Sequence, residues 1–153
     1  MQLISSAFKN GETLPTRYTC EGQDVSPPIS WEGVPEDAKT LALVVDDPDA
    51  PSGSFTHWIV YNLPPTPSRL EVGASLSDRL STGLREGLNN FGEQGYGPPC
   101  PPRGAGEHRY VFRLYALDQE LHFTGRVTRD QLMDAMEGKV LAEAMLVGRF
   151  ART

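Results

Sequence analysis

At 153 residues, 39% hydrophobic and 22% charged, the chain suits one ordinary domain spanning residues 1–153 and is too apolar for a disordered segment. A formal net charge of −6, with no Lys/Arg run, argues against a general nucleic-acid binder, whose affinity comes from neutralised phosphates. No apolar window approaches the ~20 residues of a membrane span, and the N-terminus carries no basic, apolar leader, so no membrane insertion and a cytoplasmic location are expected. Nothing in the composition calls for a cofactor.

The 15 glycines and 13 prolines are scattered, which suits a loop-rich β protein better than a helical bundle. Thr40 to Val45 is a short apolar, β-branched run that ends in the turn signal Asp46, Asp47, Pro48, Asp49, Ala50, Pro51, Ser52, Gly53. His57 to Leu63 reads as a second strand, closed by Pro64 and Pro65, and the short intervening loop predicts a hairpin. From Ser68 to Asn90 the pattern is weak and polar. Glu93 to Gly106 has eight Gly and Pro among its fourteen residues, which excludes both a helix and a central strand and leaves a long loop. His108 to Leu117 is the third strand, with His108, Tyr110, Phe112 and Leu114 on one face. Thr128 to Gln131 forms a capping box ahead of a helix whose face carries Leu132, Met136 and Val140, with Gly138 placed to stop or bend it. Ala144 to Phe150 is read as a final strand, with Met133, Met136 and Met145 as core filler.

The two cysteines, Cys20 and Cys100, form no CxxC pair, and a cytoplasmic chain is expected to keep them as free thiols, a single disulfide being the alternative. Of the three histidines, His57 and His108 each follow one of the most turn-rich loops, and Asp47 precedes one of them; His122 lies in a polar stretch. Function concentrates where loops leave a rigid scaffold. If the three strands are neighbours, Asp47, His57 and His108 meet at one end of a sheet.

Asp47 to Pro51, His57 with Trp58, the Gly97 to Pro102 loop and His108, Arg109, Tyr110 occur in that order, after Ser26, Pro27, Pro28, Ile29, Ser30, Trp31. In these motifs, from about Phe8 to Phe150, the chain resembles the phosphatidylethanolamine-binding family, most of all its short bacterial and archaeal Raf kinase inhibitor-like branch. The resemblance implies a mostly β fold: a β-sandwich of antiparallel or mixed sheets with Greek-key character and a few peripheral helices. It implies a small pocket for a phosphate-like anion or phosphorylated headgroup, lined by Asp47, His57, His108 and Tyr110 and rimmed by Tyr96, Pro101 and Pro102. It also implies a cis bond at Ala50–Pro51, a binding rather than an enzymatic role, and inhibition of a kinase or protease as the regulatory use; a homodimer is the favoured assembly. Chemically, two imidazoles and a phenol supply donors, while Asp47 would orient a histidine and favour its protonated form. The chain departs from the family pattern at Pro98, where many relatives have glycine, at Cys100 within the pocket loop, and in ending at Thr153, short of the C-terminal extension of animal members.

Two rival chemistries use the same residues. Two histidines and a carboxylate are the ligands of a facial-triad metal site, although the close HxD or HxxxH spacing is missing. A hydrolase would pair His57 or His108 with an Asp, or activate Cys100 with His108. No GxSxG elbow, GxGxxG or P-loop occurs.

Overall fold

The computed structural model describes residues 1–75 and 85–152. Two antiparallel sheets face each other. The smaller has the order β1 (Gln2–Ile4), β2 (Ile29–Glu32), β5 (Arg69–Leu70). The larger runs β6 (Arg85–Glu86), β4 (Phe55–Leu63), β3 (Thr40–Asp47), β7 (His108–Leu117), β8 (Val140–Phe150). The predicted hairpin of β3 and β4 is present, and β3 lies between β4 and β7, so the three strands with the candidate residues are neighbours.

All eight residues of β3 are buried, because the larger sheet is covered on both faces. Between the sheets, Leu41, Leu43, Val45, Trp58, Tyr110, Phe112 and Leu114 meet Leu3, Ile29, Trp31 and Leu70. On the outer face, Ala42, Val44, Ile59, Tyr115 and Leu117 meet Leu132 and Met136 of α1 (Arg129–Met136). A continuous apolar run, rather than an alternating one, is what a strand buried on both sides requires. The buried Trp58 ring donates its Nε1–H to Glu86 Oε2 (2.7 Å), and Ser75 Oγ reaches the same oxygen, which ties β4 to β6.

The capping box of α1 is as read from the sequence: Thr128 Oγ1 accepts from Gln131 N–H and Gln131 Oε1 accepts from Thr128 N–H. The helix stops earlier than its apolar spacing suggests. Gly138 adopts φ +79°, turning the chain into β8, so Val140 opens a strand and is exposed instead of sharing a face with Leu132. Met136 is buried and Met133 packs beside it, but Met145, in the middle of β8, is 55% exposed and fills no core. Further along, the same edge is covered: Gly11 N–H bonds Val147 O, and Arg149 N–H bonds Glu12 O.

Three further expectations are corrected. Cys20 and Cys100 form a disulfide rather than free thiols, because the fold lays the turn after the 3-10 segment Thr16–Tyr18 against the proline loop, with the two Cα atoms 5.4 Å apart. Among the described residues the cis X–Pro bond is Thr66–Pro67; Ala50–Pro51 is not cis. The weak stretch from Ser68 to Asn90 contains β5 and β6, each only two residues long and so without a readable period; residues 76–84 within it lie outside the described residues.

Leu132 is fully buried in the outer-face cluster, on the opposite side of the sheet from Tyr110. Leu132→Ala is expected to cost about 2–4 kcal/mol in urea unfolding, the range for a buried Leu truncation, while leaving the His57 and His108 ring signals in place.

Candidate functional site

The loop ends of β3, β4 and β7 enclose a cavity of about 200 Å³. Its wall carries Asp47, His57, His108 and Tyr110, and its rim Pro101 and Pro102, as the sequence reading expected. Ala50, Pro51, Phe55, Phe91 and Cys100 complete the lining. Larger clefts lie beside Ser30 and Pro65 (about 630 Å³) and beside Tyr61 and Arg85 (about 320 Å³), but neither holds a histidine.

Strand alternation delivers most of these side chains. Asp46 and Asp47 point to opposite faces: Asp46 pairs with Arg129 on the helix side, and Asp47 turns to the cavity. His108 and Tyr110 share the inter-sheet face of β7. His57 breaks the rule. Trp58 and Val60 face the inter-sheet core and Ile59 the outer one, so strict alternation would send His57 outward with Ile59. The register supplies the reason. Val45 pairs with Trp58 but Asp46 pairs with Thr56, so His57 is the extra residue of a β-bulge, and it joins Trp58 on the inner face.

Gly97 holds that bulge with a reciprocal pair: its N–H donates to His57 O (2.7 Å), and its carbonyl accepts from His57 Nδ1 (2.8 Å). A Cβ at Gly97 would sit 2.3 Å from the Phe91 ring, which is why a side chain is excluded there. His108 Nδ1 bonds Asp47 Oδ2 (2.7 Å), while Asp47 Oδ1 accepts from Asp49 N–H (2.8 Å). Asp49 in turn takes three hydrogen bonds from Arg109, through its backbone N–H, Nε and Nη2. That ion pair holds the Asp49 carboxyl down at about 2. The turn after β3 is thus pinned to the start of β7 by a chain of carboxylates.

A carbonyl and a carboxylate can only accept, so both rings carry a proton on Nδ1. Nε2 is then the ring atom each offers to a ligand, an acceptor when the ring is neutral and a donor once it is charged. The Tyr110 side chain is fully buried, and its hydroxyl has no hydrogen-bond partner among the described residues. A buried polar atom in that condition calls for an explanation, such as a bound ion. Burial raises the Tyr110 phenol well above its usual range, so it remains a donor.

Tyr96 is not part of this wall. Its ring packs edge-on against Trp58 and its hydroxyl donates to Tyr18 O (2.6 Å), fixing the loop from behind. Phe55 and Phe91 were missed. Phe91 is half exposed and stacks edge-on with Phe55 and His57 at the mouth, and no period marks it in the sequence. His122 lies in a separate cleft with Glu120 and Arg85. The Cys100 and His108 nucleophile pair is closed in this state, because Cys100 Sγ is bonded to Cys20. For the facial triad, Asp47 and His108 are turned toward each other, and among the described residues no three His, Cys, Asp or Glu side chains converge as metal ligands.

Burial pulls His57 below its ordinary 6.5, outweighing the Gly97 carbonyl and nearby carboxylates. The unfolded ring therefore binds its proton at higher pH than the folded one. Its contribution to stability is complete above about pH 6.5 and is lost as pH falls from there through the folded value. NMR titration of the ligand-free protein is expected to show the His57 ring titrating below 6.5; a value above 6.5 would contradict the assigned burial.

Similarity to known proteins agrees with this fold. A model of the phosphatidylethanolamine-binding protein family matches residues 4–151. The UPF0098 protein of Methanothermobacter thermautotrophicus is 48% identical over 152 residues, covering 99% of both chains. The crystal structure of a phosphatidylethanolamine-binding protein homologue from Chlamydia trachomatis superposes with a TM-score of 0.90 at 44% identity, covering 99% of this chain and 97% of that one. Escherichia coli YbcL, described as a member of the mammalian family, gives 0.91 at 34% identity, covering 99% and 98%. A carboxypeptidase Y inhibitor solved with its proteinase shares the fold alone, at 19% identity and a TM-score of 0.53, covering 94% and 76%. The chain is therefore a ligand-binding module that belongs to the phosphatidylethanolamine-binding protein family.

Proposed function

We propose that this module binds a small oxyanion, a phosphate or phosphorylated headgroup, in the cavity between β3, β4 and β7, with proton uptake and without chemistry on the ligand. The observation that carries this reading is the fully buried Tyr110 hydroxyl, which has no partner among the described residues and lines the same 200 Å³ cavity as the two rings. Three donors then face one small volume: the phenol O–H and, once charged, two Nε2–H groups. Charge-assisted bonds of this kind are stronger than neutral ones. Asp47 carries a negative charge, but its two oxygens are committed to His108 and Asp49 N–H, so it orients a ring instead of meeting the anion.

The mouth adds selectivity. Phe55 and Phe91 give it an apolar, aromatic edge, which favours an oxyanion carried on an organic group over the bare ion. Non-enzymatic use fits a site whose one sulfur is cross-linked and whose wall has no serine. Inhibition of a kinase or protease by the loaded module is the wider regulatory reading, and family membership is what supports it.

Tyr110→Phe tests the central point. The hydroxyl makes no bond to the described residues, so stability is expected to stay within about 0.5 kcal/mol of wild type, the usual scatter for a harmless change. Affinity for sulfate should fall about three- to tenfold, the equivalent of one hydrogen bond. Sulfate keeps its charge between pH 8 and 6, so any tightening across that range reports protein protonation. Calorimetric titration is expected to show tighter binding at pH 6 than at pH 8; weaker binding at pH 6, or an unchanged affinity in Tyr110→Phe, would overturn the reading.

A further inference from the structure

We infer that the Cys20–Cys100 disulfide is a redox site that sets the order of the anion pocket's rim, so that thiol–disulfide exchange controls access to the cavity. The binding consequence rests on the anion reading above; the control of the rim does not.

The bond joins two segments whose other ties among the described residues are the Cys20 N–H bond to Pro99 O and, from just before the loop, the Tyr96 hydroxyl on Tyr18 O. One is the turn from Thr16 to Gly22; the other is the loop through Pro98, Pro99, Cys100, Pro101 and Pro102, which forms one wall of the cavity. Four of those five residues are prolines and have no N–H to donate, so the loop cannot brace itself with a backbone ladder. Among the described residues its backbone is held as an acceptor: Pro99 O takes Cys20 N–H (3.1 Å), Pro101 O takes Arg152 Nε (2.7 Å), and Pro102 O takes Ala105 N–H (3.2 Å). The Cys20 N–H bond to Pro99 runs beside the disulfide and depends on the same approach of the two segments. Cutting the Sγ–Sγ bond therefore loosens two of the ties at once. Directly upstream lies Gly97, whose reciprocal bonds hold His57 in its bulge. Directly downstream lies His108 at the start of β7. A change in the loop reaches both rings within a few residues.

Access supports exchange. Both cysteines are only half-buried, and Cys100 lines the cavity itself. A dithiol supplies the electrons: its thiolate attacks one sulfur, the Cys20–Cys100 bond breaks, and a mixed disulfide forms. The reductant's second thiol resolves it and leaves as a cyclic disulfide. Two electrons and two protons pass to the protein, giving two Cys thiols.

The experiment compares oxidised protein, protein fully reduced with dithiothreitol, and Cys20→Ser, by hydrogen exchange and by sulfate titration. On reduction, the Gly97 and Cys20 amides should exchange at least about tenfold faster, while amides of the β3–β7 ladder keep their protection, the signature of a local opening. Sulfate affinity should fall about tenfold, because the rim is no longer preorganised, and recover on reoxidation. Cys20→Ser should match the reduced form and ignore dithiothreitol. If sulfate binds in neither state, the anion reading fails, and the exchange data alone decide the redox inference. Unchanged rim exchange with both thiols free would overturn it, as would unfolding of the entire chain on reduction, which would make the bond a general staple. The Cys20→Ala, Cys100→Ala double variant repeats the comparison if the serine variant does not fold.

Discussion

The site depends on one irregularity in strand pairing. His57 is the extra residue in β4 opposite the Val45–Asp46 step, and the bulge lets two consecutive side chains, His57 and Trp58, face inward together. Trp58 fills the inter-sheet core and His57 fills the cavity above it. A regular ladder would put His57 on the helix side, beside Ile59, and leave Asp47, His108 and Tyr110 without a second ring. The cost of the unpaired residue is offset by Gly97, which gives His57 both a backbone partner and a side-chain partner.

The chemistry of the cavity follows from what each Nδ1 is bonded to. Gly97 O and Asp47 Oδ2 are both acceptors, so both rings are fixed in the same tautomer and present Nε2 to the ligand side. Neutral, that atom repels an oxyanion's lone pairs; charged, it donates to them. Burial keeps His57 neutral near pH 7 without a ligand. An anion that enters supplies the opposite charge that makes protonation favourable. In the function proposed above, binding and proton uptake are therefore one event, and pH acts on the affinity through the rings while the carboxylates stay committed to structure.

How much of this was legible in the sequence follows from how local each cause is. The strands β3, β4 and β7 were readable because burial on both faces leaves largely continuous apolar runs bounded by turn signals. The capping box of α1 is four adjacent residues and was equally plain. Wherever the cause is a long-range pairing, the sequence is silent. The bulge exists only in the register of β4 against β3, so the inward turn of His57 could be reached through the family's motif order but not through periodicity. Cys20 and Cys100 are 80 residues apart, and compartment logic argued against joining them. Tyr96 was placed on the rim by the family resemblance, yet its hydroxyl reaches backward to Tyr18 O. Val140 continued the helical spacing of Leu132 and Met136, and only the left-handed Gly138 between them sends it into β8.

The claim that matters most is that an oxyanion enters this cavity with protons on both Nε2 atoms. Nitrogen-15 NMR of the His57 and His108 rings at pH 7.5, before and after saturation with phosphate, tests it directly. The account predicts that Nδ1 carries a proton on both rings in the free protein, that the free His57 ring is neutral, and that both rings are doubly protonated in the bound one. Saturable phosphate binding with both rings still neutral, or with Nε2 carrying the only proton before phosphate is added, would contradict it.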